Sequence, residues 1–123
     1  MDERAPAPAP EDLVRETLAR VADRWTLLVL EALSTEHDVR FSRLRERVGG
    51  VSQKMLTKTL RELERDGLVT RTVHAEVPPR VEYRLTALGE SLGQALCGVW
   101  TWVEAHASEM ASARKEYDGR GRR

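Results

Sequence analysis

A mainly α-helical domain carrying one small β-hairpin is what the sequence predicts, and three observations carry the prediction. Apolar residues recur every three or four positions in five separate stretches, the mark of helices with a buried face. Between the fourth and fifth of these, residues 69–85 switch to a period of two on either side of Pro78-Pro79, the mark of two strands and a turn. Capping residues and glycines stand at the joints, where helices have to start or stop.

The elements follow in order. Ala5-Pro6-Ala7-Pro8-Ala9-Pro10 alternates proline with a small residue, so residues 1–10 read as an extended, disordered tail. Val14, Leu18, Val21 and Trp25, then Leu27, Leu28, Leu30 and Leu33 after the break at Asp23-Arg24, give two helices over about 11–22 and 24–34. Val39-Arg40-Phe41 is read as a short strand. Ser42 is taken as the cap of a short helix that buries Leu44 and Val48 and stops at Gly49-Gly50. Ser52 caps the next helix, with Met55, Leu56, Leu60 and Leu63 buried and Asp66-Gly67 at its end. The hairpin pairs Val69–Val77 with Val81–Leu85. Thr86 caps a long last helix with apolar residues on two stripes, Leu88, Leu92, Leu96, Val99 and Val103 on one, Ala95 and Trp102 on the other. The organisation is therefore a tail over 1–10, one domain over 11–110, and a polar, frayed tail over 111–123.

Composition narrows the function classes. A chain of 123 residues with 41% hydrophobic and 33% charged content forms one domain with a real core and an ion-rich surface. No stretch approaches the ~20 uninterrupted apolar residues of a bilayer span, and the amino end lacks a basic segment followed by an apolar one. The expectation is a cytoplasmic protein with no membrane partner. A single cysteine, Cys97, forms no internal disulfide and no multi-thiolate metal site.

The net charge is zero, but its distribution is uneven. Residues 1–38 hold 4 Arg against 9 acidic residues, a net of −5, whereas residues 39–84 hold 11 Lys and Arg against 6 acidic residues, a net of +5. Because arginine outnumbers lysine 17 to 3 across the chain, a lone arginine says little, while Lys54 and Lys58, one helical turn apart, say more. The helix from Ser52 lies in this basic segment and opposes its apolar stripe with Gln53, Lys54, Thr57, Lys58 and Arg61.

A short helix, a three-residue link and a polar-faced helix beside a hairpin make a winged helix-turn-helix. The major groove of DNA admits one α-helix and rewards short or flexible donors on its first turns. Ser52, Gln53, Lys54 and Thr57 are thus the candidate base-reading residues, and double-stranded DNA the expected partner. Lys58, Arg61, Arg43, Arg71, Arg80 and Arg84 are the candidate phosphate or wing contacts. For Arg71 and Arg84, protection of a sheet edge against pairing is an equal alternative; Arg80, beside the stiff Pro78-Pro79 tip, favours contact with DNA.

Five runs resemble the HxlR-type family of bacterial transcriptional regulators: Asp23 to Leu28, Phe41 to Arg45, Ser52 to Thr57, Leu60 to Val69 and Val77 to Thr86. The Ser-Gln-Lys-Met-Leu and Pro-Pro-Arg-Val-Glu-Tyr segments are the most specific, and the resemblance spans about residues 13–104. It implies a homodimer held by the first and last helices, the helix from Ser52 in the major groove, the 69–85 hairpin as wing, and a role as repressor or activator. Many members carry a cysteine at the start of the first helix, where this chain reads Pro10-Glu11-Asp12-Leu13. Thiol sensing at that position is therefore not expected, and Cys97, among Leu96, Val99 and Trp100, reads as a small buried hydrophobe.

Two apolar stripes on the last helix also favour a homodimer, since a domain of this size covers only one with its own core. Leu13, Thr17, Ala95 and Trp102 are the expected interface residues. Trp25, Trp100 and Trp102 read as core or interface anchors, with a ligand cavity between protomers lined by Trp25 and Trp102 as the lesser reading; a small-molecule effector of unstated identity is left open. No catalytic residue, cofactor or metal is expected: there is no Gly-rich phosphate loop, and His37, His74 and His106 are far apart. The rival from another class is a winged-helix module that binds protein, for which a basic reading helix has no use.

Overall fold

The computed structural model describes residues 9–121, so the tail expected over 1–10 lies outside the described residues except for Ala9 and Pro10. Five helices and three strands follow in the order α1 (Pro10–Val21), α2 (Arg24–Thr35), β1 (Val39–Arg40), α3 (Phe41–Val48), α4 (Gln53–Arg65), β2 (Val69–His74), β3 (Arg80–Leu85) and α5 (Ala87–Gly121). This is a winged helix-turn-helix, mainly α with a small antiparallel sheet. The sheet has three strands, not the two of a bare hairpin, because β1 adds to the far edge of β3 in the order β1-β3-β2. Val39 lies opposite Tyr83 and Arg40 opposite Glu82, while β2 and β3 pair from Val69↔Leu85 out to His74↔Arg80.

Local sequence accounts for most boundaries. Pro10 opens α1, where a missing N–H costs nothing. The Asp23 carboxylate accepts from the Trp25 amide at 2.9 Å and restarts the chain as α2. At α4 the Ser52 hydroxyl does the same for Met55 at 3.0 Å. Ser42 is not the cap of α3: Arg40 holds that position without a side-chain bond, and Phe41 begins the helix directly. Pairing of Val39 and Arg40 with β3 ends the strand one residue early and turns Phe41 back against the core.

The core is built from α2, α3, α4 and the base of the sheet. Val29, Leu33, Leu44, Leu56 and Leu63 are at most 1% exposed, with Leu30, Leu60 and Val69 around them. Glu36, just past α2, ties that helix to α3 through Arg43 at 3.0 Å and through Arg47. The hydrogen bond from Arg43 draws its carboxyl below the ordinary value, desolvation opposes this, and Arg47 draws it down further.

The start of α5 is held unusually close. The Thr86 hydroxyl donates to the Gly67 carbonyl at 2.6 Å and accepts from the Gly89 amide at 3.0 Å, so one side chain caps α5 and fastens it to the end of α4. A Cβ on Gly89 would lie 2.1 Å from the Leu68 carbonyl oxygen, which leaves room for glycine alone. From there α5 runs as one helix of 35 residues to Gly121, through the segment expected to fray after residue 110. Losing apolar residues removes burial but not helix propensity: Ala, Arg, Lys, Glu and Met remain good helix formers, and Glu116 and Arg120 pair at 3.8 Å one turn apart.

Two outcomes are expected. Gly89→Ala forces backbone apart at the α5 root and should lower stability by at least roughly 1–3 kcal/mol in chemical denaturation, the usual scale of overpacking. Glu36 has a lowered folded pKa, so its stabilisation is full above the unfolded value, near 4.5, and is lost as pH falls through the folded one. Glu36→Gln should flatten that acid limb of melting temperature against pH at low salt, and an unchanged limb would show that Glu36 does not contribute.

Candidate nucleic-acid interface

The polar face of α4 is a by-product of burial. At 100° per residue, seating Leu56, Leu60 and Leu63 in the core turns Lys54, Lys58 and Arg61 to solvent, and all three are exposed; Gln53 shares the azimuth of Leu60 but stands at the very start of the helix, beyond the core, and is exposed for that reason. Thr57 is half-buried instead, because it faces a cleft of about 210 Å³ shared with Arg61, Glu64, Arg71 and Tyr83 between α4 and the wing. Ser52 stands exposed at the head of the helix with its oxygen engaged as cap, leaving its proton free to donate. The first turn of α4 carries no acidic residue, so the positive end of the helix dipole is uncompensated there.

The link before α4 is fixed as well as short. Gly49 and Gly50 have φ of 69° and 72°, a region that glycine enters without strain. Val51 then plugs into the core at 3% exposure, and the Arg45 Nε donates to its carbonyl at 3.2 Å. Arg45 thus holds α3 against the entry to α4.

The candidate phosphate contacts separate into two groups. Four already have carboxylate partners. Arg43 meets Glu36 at 3.0 Å and Glu46 at 3.9 Å, Arg71 meets Glu64 at 3.4 Å, and Arg84 meets Asp38 at 2.6 Å. The fourth, Arg80, does not project from the wing tip. Its Nε lies 2.9 Å from Glu82 and its Nη2 3.3 Å from Glu76, and the tip instead presents Val77, fully exposed, with Pro78 and Pro79. Lys54, Lys58 and Arg61 have no acidic partner within ion-pair distance among the described residues. Burial pushes the Tyr83 phenol above its ordinary value, Arg71 and Arg61 oppose this and Glu64 adds to it, so Tyr83 stays neutral behind the cleft.

Three arginines that matter to this geometry carry no distinguishing sequence signal in an arginine-rich chain. Arg45 braces the turn. Arg40, exposed on β1, lines a hollow beside Pro78 and Pro79 and has no acidic partner among the described residues; its place just before α3 in the basic segment was the available hint. Arg20 joins α1 to α4, with Nη1 3.3 Å from Glu62 and Nε 2.9 Å from Asp66.

Away from the reading face, α1 and α5 leave apolar surface uncovered. α1 buries no residue, and Leu13, Val14 and Leu18 are 48–61% exposed. The stripe of α5 expected to lie on the core does so only at Leu92 and Leu96, both half-buried, whereas Val99 and Val103 are exposed along with Ala95 and Trp102. Of the other expected interface residues, Leu13 is exposed and Thr17 half-buried, its hydroxyl donating to the Leu13 carbonyl at 2.8 Å. Cys97, expected to be buried, is exposed on α5 at the edge of a 260 Å³ cleft against α2. That cleft is lined by Trp100; Trp25 packs at the core, and Trp102 stacks on His106 at 4.4 Å. Among the described residues no helix is long and apolar enough to cross a membrane, and no group of three or more metal-ligating side chains assembles.

Comparison with known proteins agrees with this geometry. The profile of the HxlR-like helix-turn-helix family matches residues 20–111. Over 102 residues the chain is 44% identical to YtfH of Escherichia coli K12, an uncharacterized HTH-type transcriptional regulator, covering 83% of this chain and 80% of that protein. The structure of the transcriptional regulator YtfH from Salmonella typhimurium aligns with a TM-score of 0.73 at 41% identity, over 83% of this chain and 90% of the other. The reduced form of the transcriptional regulator YodB from B. subtilis aligns with a TM-score of 0.68 at 30% identity, over 80% and 93%. With the wing, the reading helix and the matched profile in agreement over the same residues, the chain belongs to the HxlR-like helix-turn-helix family.

Proposed function

We propose that the chain is a transcriptional regulator that binds operator DNA as a homodimer, without catalytic activity, laying α4 of each protomer in successive major grooves. The observation that carries this reading is the unpartnered donor face of α4. Among the described residues Lys54, Lys58 and Arg61 are left without counter-ions, while most of the surrounding cations are neutralised within the fold. In this reading Gln53 and Lys54, flanked by Ser52 and Thr57, meet base edges at the head of the helix. Lys58 and Arg61, one and two turns further on, meet phosphates.

The ion pairs revise the ranking within the remaining set. Arg43, Arg71, Arg80 and Arg84 each have to exchange a carboxylate for a phosphate, so their net gain from DNA is smaller than that of Lys58 or Arg61. Release of counterions makes the distinction measurable. Dimerisation draws support from the uncovered apolar residues of α1 and α5, which a two-fold partner presenting the same surface would cover.

Substitutions should therefore differ in kind. Gln53→Ala or Lys54→Ala should lose roughly 1–3 kcal/mol on the preferred operator and little on random duplex, as base contacts do. Lys58→Ala or Arg61→Ala should weaken both and lower the slope of log affinity against log salt by about 1 for each phosphate that is no longer neutralised. Arg80→Ala should change that slope less. Salt titrations on operator and random duplex check all three, and equal losses on both duplexes for Gln53→Ala and Lys54→Ala would remove α4 as the reading helix. In sedimentation velocity at micromolar concentration the protein should run as a dimer, and Trp102→Glu as a monomer. A monomeric unmodified protein would refute the dimer.

A further inference from the structure

The first helix touches the reading helix through one buried cation. Arg20, in the last turn of α1, places its guanidinium between two carboxylates at the far end of α4, Asp66 at 2.9 Å and Glu62 at 3.3 Å. Its side chain is 18% exposed, against 53% for Arg43 and Arg84 in their ion pairs. Nε and Nη1 are fully buried, and neither contact has the alignment of a hydrogen bond, so charge attraction holds the group in place. A guanidinium withdrawn from water this far is screened less than a surface pair and is strongly unfavourable once its partners go.

The position of this contact matters more than its strength. It lies at the carboxyl end of α4, on the opposite end of the helix from Gln53 and Lys54, so Arg20 is not among the DNA-facing side chains. α1 has few other ties, since it buries no residue and leaves Leu13, Val14 and Leu18 outside. α4, at 13 residues, is a lever of roughly 20 Å by the rise of an α-helix, so a tilt of about 10° at the Arg20 end moves its head by roughly 3.5 Å, about one base-pair step. In a two-fold dimer the displacement is doubled.

We infer that Arg20 is a positioning residue that sets the angle of α4 against α1, and through it the half-site spacing that the dimer accepts. This rests on the dimeric, DNA-binding reading given above. Opposite charge at residues 20 and 66 is the requirement, which makes the contact open to exchange as well as to removal.

The test measures affinity for duplexes carrying two copies of the selected half-site at the preferred separation and at one and two base pairs on either side, with a single half-site as control. The unmodified protein should prefer its best spacing over a one-base-pair shift by about tenfold, and Arg20→Ala should cut that preference below about threefold while leaving single half-site affinity within about twofold. Arg20→Gln, which keeps most of the packing, guards against a variant that does not fold. Arg20→Glu combined with Asp66→Arg and with Glu62→Gln, which removes the carboxylate that would repel the new one, should restore much of the preference. A sharp, unchanged preference in Arg20→Ala or Arg20→Gln overturns the proposal, as does an equal loss at every spacing and on the single half-site, which marks a purely structural role. No spacing preference in the unmodified protein instead overturns the dimeric reading, and the inference falls with it.

Discussion

Burial of one stripe of α4 governs the arrangement of everything around it. Leu56, Leu60 and Leu63 are at most 2% exposed and meet Val29 and Leu33 of α2 and Leu44 of α3 in the same core. Because side chains are set 100° apart around a helix, that seating leaves no choice about the direction of residues 54, 58 and 61. Rotating α4 by one residue would bring charged side chains toward a core with no partner for them, at a cost of several kcal/mol each. The Gly49-Gly50 turn, the Val51 plug and the Arg45 brace then decide where along that direction the helix begins.

Charge follows from the same packing. The central segment carries a net of +5, yet the sheet and α3 neutralise much of their share internally through Glu36, Asp38, Glu64, Glu76 and Glu82. What remains is a concentrated donor surface on α4 beside a wing that is close to balanced. Such an arrangement concentrates positive potential on α4 and spares the wing the self-repulsion of free arginines on adjacent strands.

The remainder of the chain departs from this compact centre. α5 is 35 residues long, roughly 50 Å by helix geometry, and only its first turns are fastened, by Thr86 and by the close approach of Gly89 to Leu68. Beyond Leu96 its apolar residues stand in solvent, as do those of α1. Exposed aromatic and branched side chains in contiguous stripes are unusual for a self-sufficient domain and normal for half of an interface. Arg20 connects that outlying surface to the helix at the centre.

By itself the sequence determined the elements that depend on near neighbours. The helix stripes, the Ser52 and Thr86 caps, the glycine turn and the hairpin are set by side-chain period and backbone preference within a few residues, and they were legible for that reason. The donor face of α4 was legible too, since it is the complement of a stripe that reads directly. The tertiary structure alone decided which cations are free. Arg84 finds its carboxylate 46 positions away across the fold, and although Arg43 and Arg80 have acidic neighbours in sequence, only the folded geometry brings those carboxylates within reach, so nothing in a chain with 17 arginines ranks them against Lys58 or Arg61. The pairing of the short first strand with β3, the capping role of Arg40 and the joint from Arg20 to Glu62 and Asp66 were equally hidden. Each depends on a pairing between residues some forty positions apart, which chain-local periodicity does not encode.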